Sequence, residues 1–125
     1  MAGTLVISTL SDGTNSTSST NCISGSAKAW VNFAGATGTI AAAFNVSSVT
    51  RHNTGNYTVN FTNAFADANY SMVGASSGGS GGSTSISTTG AFAFSFTTTG
   101  ANFNTIDASG NTVVDAVTVG VAFFR

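Results

Sequence analysis

Alternation of apolar and polar residues with a period of two is the feature that most restricts the fold of this chain. In residues 57–61 (YTVNF) every second side chain is apolar, and residues 91–97 place three phenylalanines on one side of an extended backbone. This period is typical of strands that bury one face, and it does not fit the 3.6-residue repeat of a helix. Aromatic and β-branched residues, which favour strands, fill these runs. We therefore predict an all-β fold.

Turn-forming residues separate the 125 residues into nine predicted strands, which belong to a single domain. These strands lie near residues 4–9, 27–33, 39–44, 47–52, 56–62, 69–75, 84–88, 92–98 and 113–124. Asn53-Thr54-Gly55 predicts a tight hairpin turn. We predict a single antiparallel β-sandwich with a jelly-roll-like strand order. Its parts are an N-terminal strand with a long polar loop (1–26), central strands (27–75), a Gly/Ser loop (76–83) and C-terminal strands (84–125).

Charged residues, which normally keep exposed sheet edges from associating, are scarce in this sequence. Only 6% of the residues are charged, the net charge is −1, and the sequence contains neither Glu nor Pro. A typical soluble domain carries about 25% charged residues. Soluble sheets commonly protect their edges with Lys, Glu or Pro. We therefore predict that the sheet edges are either very short or covered by copies of this chain or by partner proteins.

The last predicted strand has one face made of small residues. Val117, Val119, Val121 and Phe123 alternate with small residues that include Gly120. A face of small residues lets another backbone come close. Two interpretations are open, namely close packing within the chain and a contact between subunits near a symmetry axis.

Several classes of function are not supported by the composition. Lys28, Arg51 and Arg125 are far apart in sequence, so a basic surface for nucleic acid is not expected. No run of about 18 apolar residues predicts a membrane-spanning helix. The first residues lack the basic and long apolar segments of a signal peptide. We therefore expect synthesis in a cytoplasm, without a membrane partner.

Residues capable of catalysis are few. His52 is the only histidine and lies in a predicted turn, and Cys22 is the only cysteine and lies in a polar loop. Three of the four aspartates lie in turn-like contexts, where this residue usually caps the backbone. No metal-binding spacing is present, so we predict a non-enzymatic protein without cofactor or metal. A small hydrolase that uses Asp67 or Asp107 is the least favoured alternative.

Aromatic side chains are the strongest candidates for structural and interface roles. Aromatics in strands most often pack in cores or at interfaces, although exposed ones can stack on sugars. Trp30, Tyr57 and Tyr70 therefore leave a sugar-binding platform open as an alternative. The candidates for core or interface positions are Trp30, Phe33, Tyr57, Phe61, Tyr70, Phe92, Phe94, Phe96 and Gly120.

Four segments between residues 28 and 70 resemble a known type of module. They are residues 28–33 (KAWVNF), 44–50 (FNVSSVT), 55–62 (GNYTVNFT) and 66–70 (ADANY). Together they are similar to β-rich structural modules of tailed-bacteriophage virions, which occur in tail fibres, appendages and head-decoration proteins. The resemblance implies a structural protein of the virion, made in the host cytoplasm and assembled as a homotrimer on capsid or tail proteins. The alternative is a carbohydrate- or receptor-binding module at a fibre tip, which would hold a host surface glycan through the Gly/Ser loop and exposed aromatic side chains.

Overall fold

The computed structural model describes residues 3–78, 84–87, 95–110 and 112–125, which are mostly β-strand. One short helix, α1 (Ser19–Gly25), follows the second strand. All strand pairs in the described residues are antiparallel. The strands are β1 (Thr9–Ser11), β2 (Ser16–Ser18), β3 (Ala27–Ala34), β4 (Ile40–Phe44), β5 (Val46–Asn53), β6 (Asn56–Phe61), β7 (Ser71–Ser77), β8 (Thr84–Ser87), β9 (Ser95–Thr97), β10 (Gly100–Asp107) and β11 (Thr118–Phe124).

A four-stranded sheet has the order β4-β3-β11-β7. Its two central strands come from distant parts of the sequence, and Val31 of β3 lies opposite Val121 of β11. Alternate residues of these strands point to the interior because the side-chain period of a strand is two. The buried set from β3 and β11 is Ala29, Val31, Phe33, Val119, Val121 and Phe123.

A five-stranded sheet has the order β5-β6-β10-β8, and β9 also pairs with β10. The β5–β6 hairpin turns at Gly55, whose φ of 63° lies in the left-handed region. A Cβ at this position would lie 2.6 Å from the carbonyl oxygen of Val114, so the turn requires glycine for space as well as for conformation. The predicted turn at residues 53–55 is confirmed.

Aromatic rings from the two sheets meet in one hydrophobic core. The ring of Phe33 in β3 lies 5.1 Å from that of Tyr57 in β6, in an edge-to-face arrangement. Phe61 of β6 contacts Phe123 of β11 in the same way, at 5.0 Å. Edge-to-face contacts of this kind stabilise a core by about 0.5–1.5 kcal/mol each beyond the area that they bury.

Asn45 lies between β4 and β5, where the chain passes from the four-stranded sheet to the five-stranded sheet. Its φ of 54° is positive, a conformation that Asn adopts more readily than most residues. Its side-chain oxygen accepts a hydrogen bond from the Asn63 backbone N–H at 2.8 Å, and its amide donates to the Lys28 carbonyl at 3.1 Å. One side chain therefore fixes the crossing point against two other segments.

Parts of the predicted secondary structure are wrong. The predicted strand at 4–9 contributes only Thr9 to a strand, and the predicted loop at 11–26 contains β2 and α1. The last strand begins at Thr118 and not near residue 113, and the sequence did not predict β10. Residues 79–83 and 88–94, on which parts of the predicted Gly/Ser loop and the 92–98 strand fall, lie outside the described residues.

The predicted antiparallel sheets are present in the described residues, and the jelly-roll-like order stays a prediction. Consecutive strands are joined both between the two larger sheets and within them. Here β3 and β4 are neighbours in one sheet, as are β5 and β6 in the other. Local hairpins therefore define much of the topology.

Candidate interaction surface

The outward side of the four-stranded sheet carries a continuous row of apolar side chains, one from each strand. Phe44 of β4 lies opposite Trp30 of β3, Trp30 lies opposite Ala122 of β11, and Ala122 lies opposite Val73 of β7. Phe44 is 55% exposed, Trp30 39% and Val73 54%. Neighbouring positions across a sheet are about 4.5–5.5 Å apart, so these side chains form one patch. We call this surface the apolar face.

A second row on the same surface consists of small, uncharged residues. It contains Ala42, Asn32, Gly120 and Ala75, again in register across the four strands. A Cβ built on Gly120 would have its nearest neighbour, the Ala75 carbonyl oxygen, 4.0 Å away, so the space above this glycine is open. Among the described residues, no side chain packs closely against Gly120. Packing within the chain and a contact between subunits both stay predictions.

The outward side of the five-stranded sheet is polar and forms hydrogen bonds with itself. The Asn60 amide donates to the hydroxyl oxygens of Ser48 and Thr50, each at 3.1 Å. The Asn102 amide donates to the Thr58 hydroxyl at 3.0 Å, which the His52 ring also contacts at 2.8 Å. We call this surface the polar face.

Residues 3–26, which we call the arm, precede β3 and bury no side chain. Strand β1 pairs with β2, and the Asp12 carboxylate accepts hydrogen bonds from the backbone N–H groups of Thr14 and Asn15 in the turn between them, at 2.9 and 2.7 Å. Helix α1 starts after Ser18, whose hydroxyl accepts a hydrogen bond from the Asn21 N–H at 3.2 Å. No arm residue belongs to the hydrophobic core of the described chain.

Five large apolar side chains of the arm are exposed. Leu5 is 81% exposed and Val6 88%, and Ile7, Leu10 and Ile23 are exposed as well. All five, together with Ser19 and Cys22, line an open cleft of about 420 Å³. Local hydrogen bonds therefore shape the arm, while its apolar side chains stay accessible.

Most of the predicted aromatic candidates belong to the core. Phe33, Tyr57, Phe61 and Tyr70 are buried, and Phe96 is half-buried with its ring stacked 4.7 Å from that of Tyr70. Phe92 and Phe94 lie outside the described residues. Trp30 is the candidate that stays exposed, on the apolar face.

The predicted sugar-binding platform is wrong, because two of its three rings are inaccessible. Tyr57 is fully buried and Tyr70 is 6% exposed, whereas Trp30 points outward. Burial raises the pKa of each tyrosine hydroxyl to about 12. The Tyr70 hydroxyl donates to the Gly100 carbonyl at 2.9 Å, so its polar group is used within the fold.

Sequence reasoning missed most of the apolar face and the apolar side chains of the arm. Phe44 and Val73 lie at ordinary strand positions, and only the pairing register aligns them with Trp30. A helical or strand period gives no information about register between strands that are distant in sequence. For Leu5 and Ile23 a signal existed, since both interrupt an otherwise polar segment.

Asp115 accepts hydrogen bonds from three other residues, and this cluster joins parts of the fold. Its carboxylate accepts bonds from the Arg51 guanidinium at 2.6 and 3.0 Å, from the Gly55 N–H at 2.8 Å and from the Tyr57 hydroxyl at 2.9 Å. Partial burial opposes ionisation, but these hydrogen bonds outweigh it and hold the pKa of Asp115 below its usual value of 3.8. The carboxylate thereby ties the β5–β6 hairpin to the segment before β11.

The remaining reactive groups lie apart from one another. Asp67 pairs with Arg125, Asp107 accepts hydrogen bonds in its own turn, and Cys22 is exposed on α1. The Arg125 guanidinium and the Asn69 N–H lower the pKa of Asp67. Within the described ranges, no three His, Cys or Asp side chains are grouped as metal ligands would be.

Two further findings concern the chain as a whole. No helix among the described residues combines the length and the apolar character that a membrane span requires. No protein-family model matches the chain, and no curated protein or solved structure matches it.

Proposed function

We propose that this chain is a non-enzymatic structural module that assembles through its apolar face. In this proposal the two sheets form a β-sandwich, and the sandwiches associate as a homotrimer on the capsid or tail of a tailed bacteriophage. The observation that carries the proposal is the exposed row formed by Phe44, Trp30, Ala122 and Val73 across all four strands of one sheet. Large exposed apolar patches on soluble proteins commonly mark interaction sites.

The virion assignment rests on the resemblance that runs from Lys28 to about Val73. Trp30 and Phe44 of these segments lie on the apolar face. Tyr57, Phe61 and Tyr70 from the same segments pack in the core. The resembling residues would thus serve both the fold and the assembly, without any catalytic role.

Energetic considerations indicate that the apolar face alone makes only a weak contact. Complete burial of a large apolar side chain contributes about 1.5–3 kcal/mol. Trp30, Phe44 and Val73 are each about half-buried already, so they add roughly 3 kcal/mol in total. Association costs about 4–15 kcal/mol of translational and rotational freedom. A stable assembly through this face therefore needs further apolar area or many copies acting together.

The test compares matched substitutions on the two sheet faces. Multi-angle light scattering at micromolar concentration should give the mass of three chains for the native protein. Trp30→Asp should give monomers, because it places a charge in the centre of the contact. Thr58→Asp on the polar face is the control and should leave the mass unchanged.

Circular dichroism should show that both variants keep the β fold. A native protein that is a stable monomer at micromolar concentration would contradict the proposal. If the trimer forms, the copy number in purified particles would separate a capsid location, with many copies, from a tail location, with a small ring.

A further inference from the structure

The arm and the apolar face are two apolar surfaces that no other described part of the chain covers. The arm exposes five large apolar side chains, among them Leu5, Val6 and Ile7, which are consecutive. The apolar face exposes Trp30 and Phe44 in the middle and at one edge of a sheet. Both surfaces expose large apolar side chains, and exposed apolar patches commonly mark interaction sites.

The two surfaces match in charge. Asp12 is the only charged side chain among the described residues of the arm, and it is engaged in capping its own turn. The two rows of the apolar face contain no charged residue. Covering these rows would therefore bury no charged side chain of their own, and Lys28, two residues before Trp30, already donates to the Ile23 carbonyl and the Ser26 hydroxyl of the arm.

The arm also offers the apolar area that the apolar face lacks for stable association. The apolar face by itself offers too little area for stable association, as the energetic comparison above shows. The arm offers five more apolar side chains and an open cleft of about 420 Å³. A contact that buries both surfaces supplies the area that the face alone does not.

We propose that the arm of one copy lies across the apolar face of a neighbouring copy. Residues Leu5, Val6 and Ile7 would cover the row that includes Trp30, and the partner is thus a second copy of this chain. The inference rests on the proposed function, since it names the partner surface for the same apolar face. Arm exchange of this kind makes each contact depend on two chains and favours closed, symmetric assemblies.

The single tryptophan and the single cysteine provide a direct test. One variant, Cys22→Ser, keeps Trp30 as its fluorophore. The other, Trp30→Phe, carries a nitroxide on Cys22, which quenches indole fluorescence only at short range. Neither variant contains both groups, so quenching in a mixture can only arise between different chains.

We expect Trp30 emission to fall as the proportion of nitroxide-labelled chains in re-associated mixtures rises. Mixtures with the trimer mass but without quenching would overturn the arm contact and leave the proposed function intact. A native chain that stays monomeric would overturn both proposals.

A second measurement uses charge in the arm. Val6→Asp should raise the dissociation constant of the assembly about tenfold or more. The matched control is Thr20→Asp, on the exposed surface of α1, which should leave that constant unchanged. Equal dissociation constants for Val6→Asp and the native chain would also overturn the arm contact.

Discussion

The apolar face and the polar face are built on similar twisted sheets and contain almost no charge, yet their surfaces differ in kind. On the polar face, Asn60 and Asn102 donate to neighbouring hydroxyl groups, so the outward side chains satisfy one another. On the apolar face, Trp30 and Phe44 are 39% and 55% exposed and form no such network. The difference teaches that two sheet surfaces can both lack charge and still differ, one covered by hydrogen-bonded Ser, Thr and Asn side chains and the other by exposed apolar side chains.

The largest expected effect is a difference in unfolding free energy between substitutions on the core side of the four-stranded sheet and on its apolar face. Phe33→Ala should lower the free energy of unfolding by about 4 kcal/mol, because a fully buried ring leaves a cavity. Phe44→Ala removes the same group from the adjacent strand, where it is 55% exposed, and should cost less than about 1 kcal/mol.

Urea unfolding of both variants in the Trp30→Asp background, where assembly is absent, measures this difference. Equal losses would show that Phe44 belongs to the core of the single chain, and the distinction between the two sides of the sheet would fail.

The next effect tests whether stability and assembly are separable. Asp115→Ala should lower the free energy of unfolding by about 2–3 kcal/mol, because it leaves the Arg51 guanidinium and the Tyr57 hydroxyl without their shared acceptor. Asp115 lies on neither outward face, so the mass of the assembly should not change. Denaturant unfolding and light scattering on one preparation check both statements. A change to monomers without loss of stability would contradict them.

The Asp115 cluster also predicts a dependence on pH. Its pKa in the folded protein lies below the usual 3.8, so the carboxylate stabilises the fold fully above that value. This contribution is lost as the pH falls through the lower, folded-state pKa. The difference in unfolding free energy between the native chain and Asp115→Ala should therefore be constant near neutral pH and shrink below about pH 3.8. A difference that grows on acidification would contradict the assigned direction of the shift.

The smallest effect compares one asparagine from each face. Asn60→Ala should lower the free energy of unfolding by about 1 kcal/mol, because it removes two hydrogen bonds of the polar face. Asn32→Ala on the apolar face is the matched control and should change it by less than about 0.5 kcal/mol. Thermal unfolding of the two variants in the Trp30→Asp background measures both. Equal losses would mean that the polar network does not contribute to stability.

Local patterns were sufficient to predict many of the strands. Alternation predicted β6, and turn chemistry predicted its hairpin with β5, because both depend on neighbours in sequence. Strand β10 was missed because Asn102 and Asn104 are residue types that strands disfavour. The fold accommodates Asn104 through a hydrogen bond from the Asn56 amide at 2.7 Å, a partner 48 positions away.

The N-terminal error has the opposite cause. Leu5, Val6 and Ile7 have strong strand propensity, and this led to the prediction of a strand at 4–9. A strand exists only where a second strand accepts its hydrogen bonds, and the described chain offers none to these residues. The scarcity of charge pointed to partners, but the position of the exposed surface depends on pairing register, which propensity does not contain.

The pairing of β3 with β11 has a consequence for the folding process. These central strands are separated by more than eighty positions, so the four-stranded sheet has a high contact order and should form slowly, on a scale of milliseconds to seconds. Until β11 has been synthesised, β3 lacks the strand that pairs with one of its edges. Phe33 and Val31 would then stay accessible on the ribosome, where exposed apolar side chains make nascent chains prone to aggregation.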